Sequence, residues 1–273
     1  MNNQVVRQDN DSHYYFFIRG LIRSQFHWYK FPEHFDLLAK QQASNSTSVL
    51  LDIPGNGKRF QQATPFSIAA MAVDIEHQIQ DFLATHSVAS NTKLHLVGIS
   101  MGGMIAAELT SQMDIEFSSV HIINSSFANL SPFWQRMRLP AVVNLITNIW
   151  RTDTRESAIL KWTSNNPHSL SHASEWIKEA EKHPLSLRNA FAQLWAASHY
   201  FVGKKTSDNS FIYCSKEDRL VDWRCSEKLA HHWQTPLESE PTAGHDLPLD
   251  NPDWLAKKII SNSQNVNFNP LRQ

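Results

Sequence analysis

Three residues far apart in the chain have the types that nucleophilic catalysis needs: Ser100, Asp218 and His245. Ser100 lies in Gly98-Ile99-Ser100-Met101-Gly102-Gly103, after the apolar run Leu94-His95-Leu96-Val97 and before Met104-Ile105-Ala106-Ala107-Glu108-Leu109. The first run has the length of a buried strand, and the second reads as a buried helix. Strand, sharp turn and helix, with a serine at the turn, make the arrangement called a nucleophile elbow. Such a turn is strained, so its flanking positions must lack side chains that would clash, and glycine supplies this. The serine hydroxyl then stands exposed at the positive end of the helix that follows. The competing reading is a glycine-rich turn between two core elements, and the strand-then-helix context weighs against it.

A serine nucleophile also needs a base, a group to orient that base, and donors for the oxyanion. In elbow topologies the order is serine, acid, histidine. Asp218 follows the strand-like run Ser210-Phe211-Ile212-Tyr213-Cys214, and His245 follows a shorter one, Pro236-Leu237-Glu238-Ser239-Glu240. Asp222, four residues further on, is the rival acid; Asp246, adjacent to His245, is expected to fix its loop. His168 and His172 stand four residues apart without a carboxylate pair or glycine-rich context, so no metal site is expected. Nothing near Cys225 supplies a base, so Cys225 reads as a buried thiol.

The elements that must position these groups alternate. Tyr14–Ile18 and Val49–Ile53 read as strands around a helix near Glu33–Gln42, which implies a parallel pair with a right-handed crossover. Pro65 and Ser67 open an amphipathic helix to about His86, striped by Ile68, Met71, Ala72, Ile75, Ile79, Phe82 and Leu83. The elbow and a strand at Val120–Ile123 follow. Helices are expected from Ser226 to Trp233 and from Pro252 to Ile260, with a loose polar tail from Ser261 to Gln273. This pattern specifies an α/β fold, a mostly parallel sheet of about six strands with helices on both faces.

Between residues 125 and 205 the alternation stops and successive helices are expected. Asp153-Thr154-Arg155-Glu156 has the form of a capping box, and Leu187, Phe191, Leu194, Trp195 and Phe201 stripe a helix starting near Ser186. Five of the nine tryptophans, Trp134, Trp150, Trp162, Trp176 and Trp195, fall here. The reading is a core of residues 1–124 and 206–273 with an inserted helical cap at 125–205. Plain helical packing on the sheet is the alternative.

Bulk properties narrow the function. Hydrophobic residues make up 41% and charged residues 19%, and Lys+Arg 25 against Asp+Glu 26 leaves a net charge of −1. No basic stripe suggests nucleic acid. No run approaches a membrane span, and the first ten residues lack the apolar core of a signal peptide. Cys214 and Cys225 read as reduced thiols of a cytoplasmic protein. Oligomeric state has no signature.

Taken together, Arg19-Gly20-Leu21, Asp52-Ile53-Pro54-Gly55-Asn56-Gly57, Gly98 to Gly103, Lys216-Glu217-Asp218 and Gly244-His245-Asp246-Leu247-Pro248 resemble, in order, the motifs of the α/β-hydrolase superfamily. They are similar to those of small bacterial carboxylesterases, including the pimeloyl-[acyl-carrier protein] methyl esterase group. The resemblance covers most of the chain and implies Ser100 as nucleophile, Asp218 as orienting acid and His245 as general base. The backbone amides of Leu21 and Met101 would form the oxyanion hole. It also implies a small-molecule ester substrate, free or carrier-linked, and no cofactor. Phe133 and Trp134 are assigned to an apolar substrate pocket under the cap. Two departures stand out: Arg19 replaces the family's usual histidine, and Arg59 replaces a common serine. Arg19 either offers positive charge to an anionic substrate or forms a structural salt bridge. Other chemistry on the same triad, or a non-catalytic binding role, remains open at this stage.

Overall fold

The computed structural model describes residues 12–42, 44–86, 88, 91–112, 115–148 and 151–265. The N-terminal reading on residues 1–11, Trp150, and the tail beyond Asn265 lie outside them. Six strands, β1 (Ser12–Ile18), β2 (Asn45–Leu51), β3 (Lys93–Ile99), β4 (Ser119–Ile123), β5 (Ser210–Ser215) and β6 (Leu237–Glu240), form one sheet in the order β2-β1-β3-β4-β5-β6. Every neighbouring pair is parallel. The inner strands β1, β3, β4 and β5 are covered on both faces, which is why they are mostly apolar, whereas the edge strands β2 and β6 carry exposed polar residues. The period of two sorts the side chains: Phe16, Ile18, Leu96, Ile122 and Ile212 enter one core, and Tyr15, Phe17, Val97, Ile99, Ile123 and Tyr213 the other.

Eleven helices connect the strands among the described residues. First come α1 (Phe31–Gln41), α2 (Ile68–Thr85) and α3 (Met101–Gln112). Between β4 and β5 lie α4 (Phe133–Arg136), α5 (Leu139–Asn148), α6 (Thr152–Thr163), α7 (Ala173–Lys182) and α8 (Leu187–Ser198). The chain closes with α9 (Arg224–Trp233), α10 (Leu247–Asp250) and α11 (Pro252–Gln264). Caps fix several starts. Ser67 Oγ accepts the Ala70 amide, Ser186 Oγ the Asn189 amide and Asn251 Oδ1 the Trp254 amide, each satisfying a donor that the first turn leaves free.

Four expectations are corrected. The Asp153–Glu156 capping box does not form: α6 begins at Thr152 with Arg151 as its cap and no side-chain cap bond. Glu156 is instead drawn inward by Arg23 and Arg155. In α8 the stripe of Leu187, Phe191, Leu194 and Trp195 faces outward, Phe201 lies past the helix end, and Asn189, Ala190, Ala192, Gln193 and Ala196 are the buried face. In α1 the sequence offers Phe35, Leu37 and Leu38 as the apolar residues, but Leu37 is exposed and Phe31, Phe35 and Ala39 carry the packing. The last helix runs four residues past Ile260, because Ser263 is buried and its hydroxyl bonds Ser119 and His121 beneath the sheet. In that buried network His121 also meets Tyr213 Oη, and burial pushes the His121 pKa down to about 3.

Candidate active site

Ser100 sits at the C-terminal end of β3 with φ +58°, a left-handed conformation costly for a non-glycine residue. The surroundings hold it there. Its amide donates to Ile123 O at 2.9 Å, and its carbonyl accepts the Gly103 amide at 3.0 Å and Ser125 Oγ at 2.8 Å. The glycines are sterically required. A Cβ on Gly98 would lie 2.2 Å from Gly102 O, and one on Gly102 would lie 2.2 Å from Ile18 O.

The loop after β1 approaches the same point. A Cβ on Gly20 would stand 2.8 Å from Ser100 Cβ, so only glycine lets this backbone in. Gly20 O accepts the Arg23 amide at 3.2 Å, closing a turn in which Ile22 has φ +52°. Peptides are trans, so the Leu21 N–H points opposite to Gly20 C=O, out of that turn. Met101 is the first residue of α3, where helix amides have no intrahelical partner. The sequence motifs do not mention what holds Ile22. Gln193, wholly buried on α8, accepts the Ile22 amide on Oε1 at 2.7 Å and donates Nε2 to Asn56 Oδ1 at 2.7 Å.

His245 Nδ1 lies 2.7 Å from Asp218 Oδ2, both side chains being buried. Asp218 Oδ1 accepts the amides of Leu220 and Val221 at 2.8 and 2.9 Å. A carboxylate so placed can only accept from the ring, which puts the proton on Nδ1 and leaves Nε2 as the basic nitrogen. Asp222 is turned elsewhere: its carboxylate accepts the Arg224 amide at 3.0 Å and pairs with the Arg224 guanidinium. Asn124 fixes the histidine loop, donating to His245 O at 2.9 Å and to Ser215 Oγ at 3.0 Å. Asp250 ties that loop to the end of α6. It accepts the amides of Gly244 and Asn165 and the Ser164 hydroxyl, and burial raises its pKa against these bonds.

Ser100, His245, Gly20, Leu21 and Met101 line one cavity of about 100 Å³ at this edge of the sheet. Phe133 also lines it, whereas Trp134 is 64% exposed and outside the lining. The Trp134 assignment is therefore corrected: the short α4 turns one aromatic toward the cavity and its neighbour to solvent. Arg19 borders the cavity, but its guanidinium is bidentate on Asp246 at 3.0 and 2.7 Å and stacks over Trp28. Its charge is neutralised in a structural pair that clamps the histidine loop to the loop after β1. Burial raises the Cys214 and Cys225 thiols to about 11 each, so neither is a ready nucleophile. Among the described residues no cluster of three or more His, Cys, Asp or Glu could hold a metal ion, and no helix is long and apolar enough to cross a membrane.

Residues 16–258 match the model of the alpha/beta hydrolase family, and the chain belongs to that family. Among solved structures it is similar to an esterase from Exiguobacterium antarcticum, with TM-score 0.70, 14% identity and 93% of each chain covered. A thermophilic esterase from Thermogutta terrifontis gives TM-score 0.67 at 14% identity, over 94% of this chain and 91% of that one. BpoC of Mycobacterium tuberculosis H37Rv, which carries the name of a non-heme bromoperoxidase, gives TM-score 0.72 at 16% identity over 93% of each chain. Likenesses at this identity establish the fold alone. No curated protein sequence matches the chain.

Proposed function

We propose that the protein is a serine hydrolase that cleaves a small-molecule carboxylic ester or thioester through an acyl-enzyme on Ser100. The observation that carries this reading is the 2.7 Å contact of His245 Nδ1 with buried Asp218, in a histidine that shares one cavity with Ser100. Nε2 of His245 takes the Ser100 proton as Oγ attacks the carbonyl carbon. The Leu21 and Met101 amides receive the oxyanion, and the imidazolium, steadied by Asp218, protonates the leaving alcohol or thiol. Water then enters by the same base, releases the acid and restores the serine. No cofactor takes part. The helices between β4 and β5 act as a cap, with Phe133 among the apolar groups of the acyl or alcohol pocket. The names of the two esterases above agree with this reading.

A fluorophosphonate probe tests it. One adduct, mapped to Ser100 and abolished by heat denaturation, is expected, with ester turnover falling about 10⁴-fold or more in Ser100→Ala. Turnover that survives Ser100→Ala would remove Ser100 as the nucleophile.

A further inference from the structure

Three arginines border the cavity, and the carboxylates around them do not balance their charge. Arg19 is matched by Asp246. Arg23 and Arg155, both buried, share the single carboxylate of Glu156 at 2.6 and 3.1 Å. Arg136 has none. The residue lies on α4 and is 9% exposed, and among the described residues no carboxylate oxygen lies within 4.0 Å of it. Its Nη1 and Nη2 donate to Ser198 O, at 3.0 Å, and to Ala197 O, at 2.5 Å, two neutral carbonyls at the end of α8. Its Nε has no partner.

A buried cation without a counter-charge is costly in a protein that gains nothing from it. The C-terminal carbonyls of α8 supply a partial negative charge that offsets part of the cost. Two features exceed what such a cap requires: the idle Nε and the position in the wall of the cavity that holds Ser100 and His245. Burial lowers the pKa of Arg136, as expected for a cation whose surroundings under-compensate it.

We propose that Arg136 is the specificity-determining cation of the site: the ester substrate carries a carboxylate, which meets Arg136 when the ester carbonyl lies at Ser100. This rests on the hydrolase reading above and adds the substrate class, a half-ester of a dicarboxylic acid or an ester of equivalent charge. A carboxylate suits the site better than a phosphate. Arg136 itself offers one positive charge and one idle nitrogen, whereas a phosphate brings up to two charges and three oxygens. The rest of the chain between carboxylate and ester would lie against apolar wall, including Met104, Met137 and Val221.

The test compares monoethyl esters of the C4 to C8 dicarboxylic acids with ethyl esters of monocarboxylic acids of the same chain length, by pH-stat. The expected result is a kcat/KM at least tenfold higher for the half-esters at the best length, arising in KM. Arg136→Met should carry that ratio toward one, with the loss falling on the half-esters, and Arg136→Lys should restore part of it. Melting temperatures of both variants separate this from a purely structural cap on α8. A cap alone would lower stability and reduce both ester classes alike, which overturns the proposal. Wild-type turnover with no preference for the half-ester also overturns it while leaving the hydrolase reading intact. Absence of any turnover, with no fluorophosphonate adduct on Ser100, removes both.

Discussion

The sheet and helix α8 dispose of apolar surface in opposite ways. In the sheet each apolar residue of β1, β3 and β4 has a covered face, and Ile105 and Met71 from the flanking helices are fully buried against it. In α8, Phe191 and Trp195 stand 56% and 47% exposed, while Asn189 and Gln193 point inward. The first region is held by burial and the second by directed polar bonds. Asn189 takes the Thr64 amide and donates to Gln62 O, Gln193 bridges Ile22 and Asn56, and Arg136 seizes the last carbonyls of the helix. Apolar burial tolerates small shifts, but hydrogen bonds do so only within a few tenths of an ångström. The β4–β5 helices are therefore registered against the loops after β1 and β2 by geometry more than by bulk, which suits a segment whose position sets the shape of a cavity.

The largest expected effect lies at the sheet edge. Asp218→Asn should lower kcat by about 10³–10⁴-fold, since an amide in place of the carboxylate favours the wrong histidine tautomer. Asp222→Asn should stay within about threefold, because that carboxylate accepts the Arg224 amide and meets the Arg224 guanidinium, away from His245. Reversal of the two in steady-state kinetics would reassign the acid. Next comes the polar anchoring itself. Glu156→Gln leaves Arg23 and Arg155 buried without a counter-charge and should cost about 3–5 kcal/mol in urea unfolding. That rivals deletion of a core side chain such as Ile105→Ala, at about 2–5 kcal/mol. A Glu156→Gln cost below about 1 kcal/mol would mean that the β4–β5 helices are held by apolar contact after all.

What could be read in the sequence follows the same division. The strands and α2 carry their periodicity in adjacent residues, so six strands and their alternation with helices are visible without coordinates. Ser100 and its glycines form a local pattern whose steric cause is local too: a Cβ on Gly98 or Gly102 would strike backbone. Asp218 and His245 are placed by the ends of β5 and β6, and topology alone brings those ends to one edge. Gln193, Glu156, Asn124 and Asp250 were not legible. Their partners lie 171, 133, 121 and 85 positions away, and no local spacing announces a bond over that distance. The stripe on α8 was visible but its direction was not, because periodicity reports that a helix has two faces and not which one the fold covers.

Gln193 allows the comparison to be sharpened at one atom. Gln193→Met keeps the volume and deletes the acceptor for the Ile22 amide, freeing the turn that aims Leu21. It should lower kcat about tenfold with KM little changed, less than the 10²–10³ expected for loss of an oxyanion donor outright. Gln193→Glu, which keeps an oxygen for Ile22, should recover most of the loss. A residue that merely packs would lower the melting temperature in both variants and leave kcat per folded molecule unmoved. The split between kcat and stability therefore decides whether α8 positions the loop after β1 or only rests on it.

The smallest expected effect is the most direct challenge to the contrast. Phe191→Ser removes an aromatic ring from the outward face of α8 and should change unfolding free energy by no more than about 0.5 kcal/mol, as for other exposed positions. The ring has neighbours, Phe66 and Trp195 at 6.1 Å between centroids, but these contacts lie on the surface and bury little. A cost above about 1 kcal/mol would show that this face is covered in solution. Sedimentation of the wild type and of Phe191→Ser at matched concentrations would then tell a second copy of the chain from a rearranged α8. A neutral result would leave Asn189 and Gln193 as the groups that decide which way the helix turns.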